Sequence, residues 1–194
     1  MCANWRRSFA SRGAFRAPRA QLLLLAVDAA HRRQLIHRDL KPENIFLARN
    51  PAEEAVDETV KVLDFGVAKF AADPDQQAET RTIVDDTGPG VLLGTVAYMS
   101  PEQLLGESVS PYWDLWALSV VAYEMLTRTV PFGPVSGPDW RRDLLNRNFT
   151  PVHQYLPDAP PRLKEFFALT LASSRATRPA SAQEFLSTLE KAVA

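Results

Sequence analysis

HRDLKPEN, at positions 37–44, is followed by the apolar run IFL and, twenty residues after Asn44, by the tripeptide DFG beginning at Asp64. The polar residues of these motifs suit one task, which is to hold a metal–polyphosphate in line with an acceptor hydroxyl. Asp39 can accept the hydroxyl proton, and Lys41 can neutralise charge on the transferred phosphoryl group. Asn44 and Asp64 offer the hard oxygen ligands that Mg²⁺ prefers. The spacing therefore predicts a magnesium–nucleotide site.

Together the two motifs resemble the catalytic core of the eukaryotic-type serine/threonine protein kinases. The alternative, that Asp39 and Asp64 are ordinary turn residues, is less economical, because chance rarely supplies both motifs flanked by strand-like apolar runs. The resemblance covers residues 18–194 and implies the large, C-terminal lobe of the kinase domain, a mainly α fold with a few short β-strands. It also implies ATP and Mg²⁺ as cofactors and a protein substrate. Lys41 stands where tyrosine-specific members usually differ, which favours Ser/Thr acceptors.

The resemblance assigns roles to residues of the catalytic loop, 37–44. Asp39, Lys41 and Asn44 are the expected catalytic residues, and Asn44 with Asp64 the expected metal ligands. The nucleotide is expected to contact Lys41, Asn44, Asp64 and the residue two positions after Asn44, Phe46. For Phe46 two interpretations stay open, a floor under the adenine ring and plain core packing.

Residues 64–102 resemble a kinase activation segment. Its middle, residues 72–90, is polar and acidic, a composition that predicts mobility. Its end, GTVAYMSPE at 94–102, resembles the family pattern GTxxYxxPE, with Ser100 in place of the usual Ala. By resemblance, Thr95 is expected to hydrogen-bond near the catalytic base.

The same segment suggests a regulatory hypothesis. A phosphate added to Thr87, or to Thr80 or Thr82, would carry about −1.5 to −2 charges and could pair with Arg38, which would order the segment.

Two further positions are expected to stabilise the lobe. Residues 114–126 are apolar nearly all round, which predicts a buried helix; by resemblance, Asp114 at its start holds the catalytic-loop backbone. Arg178 is expected to form a buried ion pair with Glu102. Ser119 stands where the family usually has Gly, and its hydroxyl can bond to the helix carbonyl four residues earlier.

Residues 1–17 carry several arginines and no acid. A targeting segment, a disordered basic tail and a start produced by truncation are the alternatives, and disorder is our expectation. Upstream of position 37 we find no glycine-rich loop and no strand lysine, the parts that clamp the triphosphate. We therefore expect impaired activity for the chain alone, with a small lobe supplied by another segment or partner chain. The alternative function is a non-catalytic kinase remnant that binds proteins.

Composition excludes several other classes of protein. The chain has 194 residues with a net charge of −1, so no basic field for nucleic acid is expected. A single cysteine excludes an internal disulfide, and no apolar run approaches the length of a membrane span. The default expectation for localisation is the cytoplasm.

Overall fold

The computed structural model describes residues 2–4, 17–49, 58–64, 69–70 and 96–193, and every structural statement below concerns these residues. They form a helix-rich fold with a few short strands, as the sequence predicts.

The strands lie around the catalytic loop. A three-stranded antiparallel sheet has the order β1 (Cys2–Asn4), β3 (Ile45–Arg49) and β4 (Glu58–Val62). A second antiparallel pair joins β2 (Leu35–Ile36) to β5 (Lys69–Phe70). The catalytic loop thus runs from the end of β2 into β3, through a 3₁₀ turn at Pro42–Asn44.

The helices form the rest of the lobe. In chain order they are α1 (Ala17–His31), α2 (Pro101–Leu104), α3 (Pro111–Thr127), α4 (Trp140–Asn146), α5 (Pro161–Thr170) and α6 (Ala182–Val193). Helix α1 packs against β4 and α6, and α5 packs against α6 and α3. These contacts join the helices and the three-stranded sheet around one core.

Helix α3 is the centre of the core. All of its residues from Trp113 to Tyr123 are buried, which confirms the prediction of a helix that is enclosed on every side. Trp116 stacks on Phe132 with ring centroids 5.7 Å apart, and Tyr123 meets Phe167 edge-on at 5.1 Å. The hydroxyl of Ser119 donates to the Leu115 carbonyl at 2.9 Å, as expected, so the polar atom is satisfied inside the helix.

Several sequence-based boundaries differ from the structure. The polar composition of residues 48–59, with Pro51, predicts a loop, but β3 continues to Arg49 and β4 begins at Glu58, because cross-strand pairing extends the short apolar runs. The sequence predicts that Asp139 caps a short helix at about 139–147, and Asp139 is the N-cap residue of α4. Its side chain makes no capping hydrogen bond, because the carboxylate pairs with Arg142 at 2.8 Å. Strand β1 lies within 1–17, the segment for which we expected disorder, and the other residues of 1–16 lie outside the described part.

Candidate active site

Three of the predicted site residues are in direct contact. The Nζ of Lys41 lies 2.7 Å from Oδ2 of Asp39. The Nδ2 of Asn44 donates to the Asp39 carbonyl at 2.9 Å and lies 3.4 Å from Asp39 Oδ2. Asp39 and Lys41 are part-exposed, with 23% and 19% of their side chains accessible. The loop therefore presents a carboxylate and an ammonium group together at an accessible surface.

The sheet brings Asp64 to the same end of the molecule. Ile45 pairs with Val62, and the Leu63 N–H donates to the Asn44 carbonyl at 2.8 Å. Asp64 is the next residue, exposed and in the left-handed region with φ 62°. A non-glycine residue in that region is uncommon, and such residues concentrate at functional sites.

Asp114 holds the start of the catalytic loop. Its Oδ2 accepts the His37 N–H at 2.9 Å, and its Oδ1 accepts the Arg38 N–H at 2.9 Å. The Nε2 of His31, at the end of α1, lies 2.8 Å from the same Oδ2. Asp114 is buried, so these polar contacts are what makes a carboxylate tolerable there. The predicted contact of Asp114 with the loop backbone is present.

His37 links the catalytic loop to the segment that ends at Asp64. Its Nδ1 accepts the Asp39 N–H at 3.3 Å, which leaves Nε2 to carry the proton donated to the Leu63 carbonyl at 2.8 Å. This pattern requires the neutral Nε2–H tautomer. The His37 side chain therefore fixes both the Asp39 N–H and the Leu63 carbonyl.

Glu102 and Arg178 form the expected pair. Arg178 Nη2 lies 2.9 Å from Glu102 Oε1, and Nη1 donates to Oε2 at 3.1 Å, a two-pronged arrangement. Both side chains are buried. The pair fixes the end of the segment 64–102 to the base of the lobe.

Phe46 lies on β3 between Ile45 and Leu47. Those two neighbours are buried in the core, and Phe46 is half-buried on the opposite face of the strand, as the alternation of a strand requires. Leu63, which follows β4, is 43% exposed. Phe46 is thus directed away from the principal core, and this orientation leaves it accessible to a ligand.

Some expectations fall outside the described part of the chain. Thr87 and Thr95, the candidate phosphorylation site and the candidate partner of the base, are both there, as are Thr80 and Thr82. Residues that the motif analysis did not single out do contact the site: His31 and Gln103. The sequence carries no signal for His31, whereas Gln103 could have been found as a buried capping residue from the Ser-x-x-Gln spacing that predicts a capping box.

The donor set suits magnesium. Asn44 uses its Nδ2 in contacts with Asp39 and keeps Oδ1 for a cation, and Asp64 supplies a carboxylate. Hard oxygen donors of this kind, few in number, match a cation that also keeps water and phosphate ligands. The residues present therefore fit Mg²⁺ with a nucleotide.

Comparison with known proteins agrees with this geometry. The family model for the protein kinase domain matches residues 9–189. The chain therefore belongs to the protein kinase family, whose members generally use ATP and Mg²⁺ and act on proteins.

Individual relatives are serine/threonine kinases by name. Serine/threonine-protein kinase pkn3 of Myxococcus xanthus is 36% identical over 87% of this chain and 29% of its own length. The probable serine/threonine-protein kinase PknB of Bifidobacterium longum is 37% identical over 84% of this chain and 21% of its own length. Serine/threonine-protein kinase Pkn1 of Myxococcus xanthus is 46% identical over 55% of this chain and 14% of its own length. The chain thus spans less than a third of each of these relatives.

The helices of the described ranges include none with both the length and the apolar character needed to cross a bilayer.

Proposed function

We propose that this chain carries the catalytic machinery of a serine/threonine protein kinase, which transfers the terminal phosphoryl group of ATP to a Ser or Thr hydroxyl of a protein. The observation that carries the proposal is the contact of Asp39 with Lys41 at 2.7 Å beside Asn44, on a loop fixed by a buried carboxylate. The names of the relatives support the Ser/Thr class.

Each residue has a proposed part in the reaction. Asp39 accepts the proton of the attacking hydroxyl and orients that oxygen. Lys41 neutralises negative charge on the transferred phosphoryl group, a function that its position next to Asp39 permits. Asn44 and Asp64 would hold the Mg²⁺ that accompanies the nucleotide. The nucleotide would supply the phosphoryl group, and the cation would neutralise negative charge on the phosphates. Phe46 offers an apolar surface against which the adenine ring of the nucleotide would pack.

The rest of the site serves positioning. Asp114 and His37 fix the backbone that leads into Asp39, so the catalytic base needs little reorganisation when a hydroxyl arrives. The Glu102–Arg178 pair anchors the far end of the segment that follows Asp64. A protein substrate would lie along this surface.

Phosphoryl transfer from radiolabelled ATP–Mg to a casein and histone mixture tests the proposal. Asp39→Asn is expected to lower the rate by about 10²–10⁴-fold, the usual contribution of a general base. Asp139→Asn, an exposed carboxylate in a surface ion pair, is the matched control and should leave the rate unchanged. Phosphoamino-acid analysis should find label on Ser and Thr.

A binding measurement separates the enzyme from a non-catalytic module. ATP–Mg is expected to raise the melting temperature of the wild-type chain, and Asp64→Ala is expected to abolish that rise. No rise at millimolar ATP, together with no phosphoryl transfer, would refute the enzyme and favour a kinase remnant that binds proteins.

A further inference from the structure

Gln103 joins the end of the segment 64–102 to the backbone beside Asp39. Its Nε2 donates to the Arg38 carbonyl at 3.1 Å, although the two residues are 65 positions apart. Gln103 is buried, with 7% of its surface exposed. A buried amide that donates a hydrogen bond to the carbonyl of a distant loop is a specific link between two parts of the site.

The orientation of the Gln103 amide is fixed by Ser100. The Ser100 N–H donates to Gln103 Oε1 at 2.9 Å, and Ser100 Oγ accepts the Gln103 N–H at 3.2 Å, a complete capping box at the start of α2. One amide atom faces an N–H and the other a carbonyl, so the opposite assignment of oxygen and nitrogen would lose both bonds. The cap therefore aims the Nε2 at Arg38.

Arg38 has a backbone that needs such support. Its φ is 69°, in the left-handed region that a non-glycine residue adopts at a cost. Asp114 accepts its N–H at 2.9 Å, and Gln103 donates to its carbonyl. The two side chains come from different helices, α3 and α2, and hold opposite ends of the residue that precedes Asp39.

We propose that Gln103 is a positioning residue, which sets the peptide between Arg38 and Asp39 and so couples the position of α2 to the orientation of the catalytic base. The proposal rests on the proposed kinase function for its catalytic consequence and on the hydrogen bonds alone for its structural one. The backbone N–H of Ser100 aims the amide by donating to Gln103 Oε1, and the Ser100 hydroxyl holds the Gln103 backbone N–H.

Hydrogen exchange of the full chain, resolved for residues 37–41 by mass spectrometry, tests the structural part without activity. Gln103→Met keeps the length and apolar stem of the side chain but removes both amide bonds, and it should speed exchange there about 5-fold. Gln183→Met, an exposed glutamine on α6, is the matched control and should not alter exchange at 37–41. Equal exchange in Gln103→Met and wild type would overturn the proposal.

Kinetics tests the catalytic part. For Gln103→Met, at a temperature where the chain stays fully folded, kcat should fall about 10–100-fold while KM for ATP changes less than about 2-fold, because misplacing the base does not touch the nucleotide. Gln103→Glu should behave similarly at neutral pH and regain activity relative to wild type as the carboxyl is protonated, since the neutral acid can again donate to the Arg38 carbonyl.

The two proposals fail in distinguishable ways. Absence of transfer by the wild-type chain would refute the proposed function, and the exchange experiment would still decide whether Gln103 holds the Arg38 peptide. Active variants with an unchanged kcat would refute the positioning role while leaving the kinase function intact.

Discussion

Replacement of Arg178 by Met is expected to be among the most destabilising single changes in the described part of the chain. The guanidinium is enclosed, with 1% of the side chain exposed, and Glu102 opposite it has 5% exposed. Arg178 also donates from Nε to the Ala172 carbonyl at 2.5 Å and from Nη2 to the Ser173 carbonyl at 3.1 Å. The change would leave a buried carboxylate and two carbonyls without this partner.

The magnitude follows from these contacts. Breaking a buried ion pair by removing one partner costs about 3–5 kcal/mol, because the remaining charge stays desolvated. The guanidinium carbon also lies 4.7 Å above the Trp116 ring, and Met cannot replace that cation–π contact. Arg175 Nε, 3.6 Å from Glu102 Oε1, remains as a partial counter-charge. We therefore expect a loss near the lower end, about 3 kcal/mol.

Urea unfolding monitored by tryptophan fluorescence gives the measurement, because Trp116 lies beneath the pair. Arg178→Lys keeps the charge but loses the two-pronged geometry, so its loss should be smaller, about 1–2 kcal/mol. Arg142→Met breaks an exposed pair with Asp139 and should cost less than about 1 kcal/mol.

A double-mutant cycle with Glu102→Gln isolates the pair itself. The coupling free energy should reach at least about 2 kcal/mol, since each single change strands the other charge. If Arg178→Met cost no more than Arg142→Met, or if the coupling were close to zero, the reasoning that burial makes this pair indispensable would be refuted.

Three further changes test other parts of the lobe. Burial raises the pKa of Tyr123, so the folded state keeps the phenol proton while the unfolded chain loses it above about pH 10; this component of stability is present below that pH and lost above it. Between about pH 9 and 11, the free energy of unfolding measured in urea should therefore fall by about 1 kcal/mol less for Tyr123→Phe than for the wild type, and equal falls would contradict the assignment. Ser119→Ala should change the free energy of unfolding by less than about 1 kcal/mol, because the Leu115 carbonyl keeps its helical partner; a larger loss in the same assay would show that the hydroxyl does more. Asp114→Asn should cost about 2–3 kcal/mol and speed amide exchange at the start of the catalytic loop, since an NH₂ group replaces one of two acceptors; unchanged exchange there would show that the loop holds its shape without the carboxylate.

The sequence predicts the parts of the site that depend on short spacing. Asp39, Lys41 and Asn44 fall within six residues, so a single loop can bring them together and their closeness can be predicted from the spacing alone. The helix at 114–126 could be predicted equally well, because a helix that is apolar nearly all round is typically buried. Long-range pairs such as Arg178 with Glu102 came from the resemblance, since no periodicity relates positions 76 residues apart.

What sequence reasoning missed has a common physical cause. The His31–Asp114 contact, the Gln103–Arg38 contact and the extension of β3 to Arg49 all depend on how elements pack. Local propensity carries no information about such partners. Asp139 shows the converse, because local sequence placed it correctly at the N-cap of α4 but its carboxylate forms a surface ion pair instead of a capping hydrogen bond.

The contacts around Arg38 explain how a strained residue can be stable next to the proposed base. A left-handed φ costs free energy at a non-glycine residue, and the conformation persists where surrounding groups over-determine it. Asp114 fixes the N–H of Arg38 and Gln103 its carbonyl, while His37 accepts the N–H of Asp39. Because these three side chains belong to the core helix α3, to α2 and to the loop itself, displacement of any one element would release the peptide that orients Asp39. The geometry of the base is thus a property of the whole lobe, and a change remote from the catalytic loop can lower the rate without touching a substrate.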